Sequence, residues 1–370
     1  MLATPALNWD IYCKVIDNFG DIGVTWRLAK QLVREHGHSV RLWVDDLAAA
    51  QPLIRDLDPG LADQTCQGIR LMRWDDTASD AVPGDVVVEA FACDLPESVL
   101  DAMAARRPAP VWINLEYLSA EDWVEGCHGM RSVHPARGLV KTFYFPGFGR
   151  ATGGLLMERY VPEAVRLAQA SRQPPFDVLN VSLFSYPNPA LASLLQAWRE
   201  HESPIHCRIP EGRVLESLEP LLGTKLRPGE RLAQDALTLE ILPFTDQEGY
   251  DRILWNSDFN IVRGEDSFVR AQWAERPFLW HIYPQEDDIH LVKLDAFLRR
   301  YTTGLSPDAA AALIEAQQCW NRSASMSSIW RAMSVHLPEL AMHSHRWAAF
   351  LRENGDLAGR LVQFVQNQIQ

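Results

Sequence analysis

The sequence predicts an α/β protein built of two domains in tandem, and three observations carry that prediction. Short apolar segments rich in β-branched residues alternate with amphipathic segments of helical length, the rhythm of βαβ units around a mostly parallel sheet. That rhythm runs twice, with a glycine- and proline-rich interruption near the middle of the chain. At 370 residues the chain is long for one compact core and comfortable for two.

Trp9 to Ile16 is apolar, with β-branched and aromatic residues, and predicts a buried first strand. Asp17-Asn18-Phe19-Gly20-Asp21-Ile22-Gly23 reads as a turn, followed by a helix from Val24 to His36. Helical spacing puts Trp26, Ala29, Leu32 and Val33 on one face and turns Arg27, Lys30 and Arg34 towards solvent. Ser39 to Val44, Asp85 to Glu89 and Val111 to Leu115 are further strands. Phe145 to Gly154 is glycine-rich, and Pro174-Pro175 is a second break after a helical segment from Met157 to Ala170. These breaks bound a first domain at 1–155 and a connection at 156–175. The second series occupies 176–345: a strand from Phe176 to Phe184, a helix from Pro189 to His201, then strands Leu237 to Leu242, Asp258 to Val262 and Pro277 to Tyr283. From Pro338 the chain is helical and amphipathic.

Composition narrows the function. The chain is 47% hydrophobic and 22% charged, which excludes a disordered or fibrous protein. No apolar run approaches the roughly 20 residues of a membrane-spanning helix, and Met1 to Asp10 lacks the basic start and apolar core of a secretory signal. Cys13, Cys66, Cys93, Cys127, Cys207 and Cys319 are scattered without a CxxC pair and read as reduced thiols of a cytoplasmic protein. A formal charge of −13 argues against nucleic acid or an anionic membrane as partner, while leaving room for a local basic pocket. His281 and His290 lie near Asp287 and Asp288 without metal-ligand spacing. His36, His38, His343 and His345 read as surface residues, so no metal is expected.

Ligands of such domains bind at the carboxyl ends of the strands, in the cleft between the two, so the chemistry belongs in loops that follow strands. Two loops stand out. The first carries Asp17 and Asp21 around Gly20; it is not a dinucleotide fingerprint, and its acids would repel a diphosphate. Either these aspartates cap a turn and a helix, or one of them faces the cleft as a general base. The second is Arg263-Gly264-Glu265-Asp266-Ser267, between a strand and a helix from Phe268 to Glu275. Gly264 permits close backbone approach, and Arg263, the Ser267 hydroxyl and the helix N-terminus form a diphosphate cradle with Glu265 at its edge. A capped helix with a surface Arg–Glu pair is the simpler alternative. Phe184 and Tyr186 end one strand and Phe244 and Gln247 follow another, where they would contact base, sugar or phosphate.

The motifs Lys14 to Arg27, Phe91 to Glu97, Asn114 to Glu121, Arg263 to Arg270 and Trp280 to Gln285 resemble the EarP family, bacterial protein-arginine rhamnosyltransferases that modify elongation factor P. The resemblance covers nearly the whole chain and is least characteristic from Ser306 to Leu337. It implies a GT-B glycosyltransferase fold, two Rossmann-like domains facing a central cleft, with 346–370 as a C-terminal helix returning to the first domain. It implies dTDP-β-L-rhamnose as donor, one arginine of elongation factor P as acceptor, and inversion without a metal or other cofactor. Asp21, Asp17 and Glu265 match the family's catalytic acids, and Asn18, Phe19, Gly20 and Asp21 its sugar-contacting turn. Arg263, Gly264, Asp266 and Ser267 match its diphosphate loop, with Tyr186 assisting; Phe184 and Phe244 match aromatics around thymine, and Gln247 a sugar contact. Two readings from other classes stand beside it: a nucleotide-sugar epimerase or small-molecule transferase of the same fold, and a noncatalytic nucleotide-sugar or translation-factor binding protein.

Overall fold

The structure, a computed structural model, describes residues 6–16, 19–74, 81–171 and 177–369. It divides into two compact units, 1–159 with 351–370, and 160–350.

The first unit contains β1 (Asn8–Cys13), α1 (Gly20–His36), β2 (Ser39–Val44), α2 (Leu47–Ala50), β3 (Asp63–Cys66), β4 (Ile69–Arg73), β5 (Val86–Ala90), α3 (Glu97–Ala105), β6 (Val111–Leu115), α4 (Trp123–Cys127), β7 (Arg131–Val133) and β8 (Val140–Tyr144). The second contains α5 (Val161–Ala170), β9 (Leu179–Leu183), α6 (Leu191–Arg199), β10 (Ile205–Pro210), α7 (Leu215–Leu222), β11 (Arg231–Gln234), β12 (Leu237–Leu242), α8 (Gln247–Trp255), β13 (Phe259–Arg263), α9 (Asp266–Trp273), β14 (Phe278–His281), α10 (Ile289–Tyr301), α11 (Pro307–Asn321) and α12 (Ser327–Ser334). α13 (Leu337–Glu353) runs from the second unit into the first, and α14 (Leu357–Ile369) lies in the first.

The first sheet has the order β3-β4-β2-β1-β5-β6-β8-β7, parallel except for its edge strands β3 and β7. The second has the order β11-β12-β10-β9-β13-β14, with β11 antiparallel at its edge. In each sheet the first strand sits in the interior, and the order reverses beside it: β1 lies between β2 and β5, and β9 between β10 and β13. In open α/β sheets, ligands bind at the carboxyl ends of the strands beside such reversals.

Strand alternation assigns the two faces of the first sheet. Trp9, Ile11 and Cys13 of β1 join Val86, Val88 and Ala90 of β5 under α1 and α14, whose Leu357, Ala358, Leu361, Val362 and Val365 complete that core. Tyr12, Trp43, Val87 and Trp112 face the other way, against Val99, Leu100 and Met103 of α3. Tyr12 stacks on Trp43 with centroids 5.5 Å apart. The return of the chain end is pinned by a bridge between Leu155 and Asp356 and by the Leu357 N–H donating to the Leu155 carbonyl at 3.0 Å.

Several sequence expectations shift. β1 ends at Cys13 rather than Ile16, and α1 begins at Gly20 rather than Val24, so Asp21 lies inside the helix. Arg27 and Lys30 are buried, not solvated, and residues 157–158 and Asp356 pack against that side of α1. There the Arg27 guanidinium approaches Glu158 at 3.5 Å, and Gln31 donates to the Met157 carbonyl and to Asp356 at 2.9 Å each. Arg34 is exposed as expected. His38 and His343 are core residues: His38 accepts the Leu7 N–H at 3.2 Å, and His343 meets the Tyr301 carbonyl at 2.5 Å. Pro174, Pro175 and Phe176 lie outside the described residues.

Candidate active site at the sheet reversals

In the first unit, an acid at the start of α1 reaches back to the segment that follows β1. Asp21, 2% exposed, sits in the first turn of α1 and accepts the Ile16 N–H at 2.9 Å through Oδ2. Phe19 occupies the N-cap position, and its carbonyl accepts the Gly23 N–H at 2.9 Å. A carboxylate there is favoured by the positive end of the helix dipole. On the near side of the loop, Asp45 accepts the Val15 N–H at 2.8 Å. Asp21 therefore does not cap the helix from outside, the simpler alternative; it reaches back from within it to the Ile16 backbone. Asp17 and Asn18 lie outside the described residues.

In the second unit, the reversal between β9 and β13 brings together most of the residues expected there. Arg263 ends β13 and is 6% exposed; its guanidinium carbon lies 4.4 Å from the Phe184 ring centroid and 4.9 Å from that of Tyr186. Two aromatic faces thus hold a cation at the strand end. Gly264 adopts φ 60°, a left-handed conformation that a side chain would strain. Its N–H donates to the His281 carbonyl at 3.1 Å, and its carbonyl accepts from the Trp280 indole at 2.7 Å, so β14 fixes the turn from both ends. Glu265 takes the N-cap position of α9 and makes no side-chain capping bond. Ser267 is the second residue of α9, which starts at Asp266 rather than Phe268, and its hydroxyl donates to the Arg263 carbonyl. Gln247 is buried at the start of α8 and donates to Asp266 at 3.3 Å. Phe244 stands 39% exposed in the loop after β12.

Burial and the neighbouring Arg263 charge push His281 down to about 3, so its ring, packed on Tyr186 at 5.3 Å, is neutral.

Sequence reading missed two supports of this loop. Arg270 and Asp251 form a fully buried bidentate pair, Nε–Oδ1 3.0 Å and Nη2–Oδ2 2.7 Å, tying α9 to α8. Trp280, which stacks on Phe268 at 3.7 Å, is the second. Neither announces itself locally, since both partners are distant in sequence.

Among the described residues, no group of three His, Cys, Asp or Glu side chains is arranged to hold a metal, and no helix is long and apolar enough to cross a membrane.

The sequence pattern of Elongation-Factor P (EF-P) rhamnosyltransferase EarP matches residues 9–366. The chain belongs to the EarP family. It is 48% identical to the protein-arginine rhamnosyltransferase of Pseudomonas putida, covering 98% of this chain and 99% of that one. Identity to the same enzyme of Pseudomonas aeruginosa is 45%, over 96% and 98%. A solved structure, described as the structural basis for EarP-mediated arginine glycosylation of translation elongation factor EF-P, superposes with a TM-score of 0.67. It is 37% identical and covers 98% of this chain and 99% of that one. MurG of Acinetobacter baumannii, at 14% identity and a TM-score of 0.52 over 98% and 100% of the two chains, shares the fold alone. The fold is GT-B, and the chain is a protein-arginine rhamnosyltransferase.

Proposed function

We propose that this EarP family member transfers L-rhamnose from dTDP-β-L-rhamnose to the guanidino group of one arginine of elongation factor P, in the cytoplasm, with inversion at the anomeric carbon and without a metal. The observation that carries the reading is the match to the EF-P rhamnosyltransferase pattern over residues 9–366.

The chemistry must solve the nucleophile. A guanidinium has a pKa above about 12, and no side-chain carboxylate removes its proton beforehand. Asp21 instead accepts hydrogen bonds from the guanidinium, aims one nitrogen at the anomeric carbon, and takes the proton as the C–N bond forms and the bond to the diphosphate breaks. The Ile16 N–H on Asp21 supports this role by fixing the carboxylate's direction. Asp17 positions the acceptor or supports Asp21, and Asn18, Phe19 and Gly20 contact the sugar. Glu265 orients the sugar and stabilises positive charge on the oxocarbenium-like transition state.

Arg263, Ser267 and the α9 N-terminus stabilise the departing dTDP, which carries the negative charge released. The aromatic faces against Arg263 support the assignment, since they keep a buried cation in place at a strand end. Tyr186 assists at the diphosphate and Asp266 braces the loop; Phe184 and Phe244 flank thymine, and Gln247 contacts the sugar.

The test is the configuration of the product. NMR of elongation factor P treated with this protein and dTDP-β-L-rhamnose should show an α-linked rhamnosyl-arginine and one dTDP released per linkage. A β-linked product contradicts the single displacement.

A further inference from the structure

Beside the β1–β5 reversal, the first sheet carries a polar cluster to which no role has been given above. Glu89 of β5 and Asn114 of β6 are directly paired in register, each 1% exposed, and Glu116 comes just after the end of β6. Glu89 accepts from the Trp112 indole at 3.1 Å and from the Lys141 ammonium at 3.2 Å. Asn114 donates its amide N–H to Glu116 at 2.5 Å, which leaves its buried Oδ1 without a hydrogen-bond partner among the described residues.

The cluster is therefore short of a cation. Two carboxylates face one ammonium, and Lys141 is bonded to Glu89 rather than to Glu116. Burial, first, and the charge of Glu89 push the half-buried Glu116 carboxyl above its ordinary value, against the opposing Asn114 hydrogen bond and Lys141 charge. An orphaned carbonyl acceptor beside an under-compensated carboxylate calls for a cationic ligand with several donors. A guanidinium fits, with one positive charge and five N–H groups in a planar fork. The next residue, Tyr117, is 38% exposed and its ring stacks on Phe91 with centroids 4.5 Å apart, an aromatic platform of the kind guanidinium groups lie against. A diphosphate would be repelled here.

We propose that Glu116 and Asn114 help bind the guanidinium of the acceptor arginine, with Glu116 and Asn114 Oδ1 accepting N–H groups other than those that Asp21 takes. The assignment rests on the proposed transfer to a protein arginine. It makes both residues acceptor-binding groups, separate from the donor loop of the second unit.

The test measures transfer to elongation factor P at saturating dTDP-β-L-rhamnose, for wild type, Glu116→Gln and Asn114→Ala, together with dTDP affinity and melting temperature. Expected is a rise of at least tenfold in the acceptor KM of Glu116→Gln, a smaller rise for Asn114→Ala, and dTDP affinity within twofold of wild type. An acceptor KM within twofold in a folded Glu116→Gln protein overturns the assignment. So does a parallel loss of dTDP affinity, which marks a structural role. A second measurement is independent of turnover: N-acetyl-arginine methylamide at millimolar concentration should raise the melting temperature of wild type more than that of Glu116→Gln, and more than the lysine analogue does. Equal shifts in both proteins overturn the assignment. Wild type that transfers nothing to elongation factor P overturns the functional reading instead, and the melting shifts then decide the guanidinium site.

Discussion

The Trp280 indole donates to the Gly264 carbonyl at 2.7 Å, and this bond holds the left-handed turn that presents Arg263, Glu265 and Ser267. Replacing Trp280 with Phe keeps the ring that stacks on Phe268 and removes only the donor. A neutral hydrogen bond contributes about 1 kcal/mol, so dTDP should bind about fivefold more weakly to Trp280→Phe while the fold survives. Calorimetric titration with dTDP checks this; unchanged affinity would mean that the turn holds without the indole.

Arg270 and Asp251 are both fully buried, so removing one leaves the other charge stranded. Arg270→Met should cost about 3–5 kcal/mol, and Asp251→Leu with Arg270→Met should recover most of that loss. Urea denaturation of the single and double variants measures it. A double variant no more stable than the single one would show that the pair is not the quantity at stake.

α14 contributes Leu361 and Val365, both fully buried, to the core under α1. Leu361→Ala should therefore destabilise the first unit by about 2–5 kcal/mol. Loss of that order in thermal denaturation is the expected result; a shift of under about 0.5 kcal/mol would show that the helix packs loosely.

Burial holds His281 near 3, whereas an unfolded histidine titrates near about 6.5. Above the unfolded value both states are neutral and the residue contributes nothing to the pH dependence. As pH falls below it, the unfolded chain takes up a proton that the folded chain refuses, and stability drops by up to about 1.4 kcal/mol per pH unit until about pH 3. His38, His128 and His343 shift in the same direction, again chiefly through burial. Urea midpoints should decline from pH 7 to pH 5, and less steeply in His281→Leu. Parallel slopes for variant and wild type would contradict a neutral His281.

The sequence carried the fold because strand, loop and helix signals agree locally: Ser39–Val44, Val111–Leu115 and Leu237–Leu242 are strands with the bounds their apolar runs suggest. The antiparallel edges β3, β7 and β11 were not legible, since short, largely exposed strands such as Arg131–Val133 show no apolar run. The turn after β13 was legible as a candidate site because Arg263, Gly264 and Ser267 fall within five consecutive residues that follow a buried strand. What holds it was not, because Trp280 and the Arg270–Asp251 pair act through tertiary contact. Arg27 and Lys30 misled for the same reason: helical periodicity marks one apolar face, and nothing local reveals that the far end of the chain covers the other side.

The central claim is tested most directly by the intact mass of elongation factor P after incubation with this protein and dTDP-β-L-rhamnose. A gain of one deoxyhexose is predicted, absent when the acceptor arginine is replaced by lysine and absent with the Asp21→Ala protein. No gain with wild type, or full modification by folded Asp21→Ala, would contradict the account.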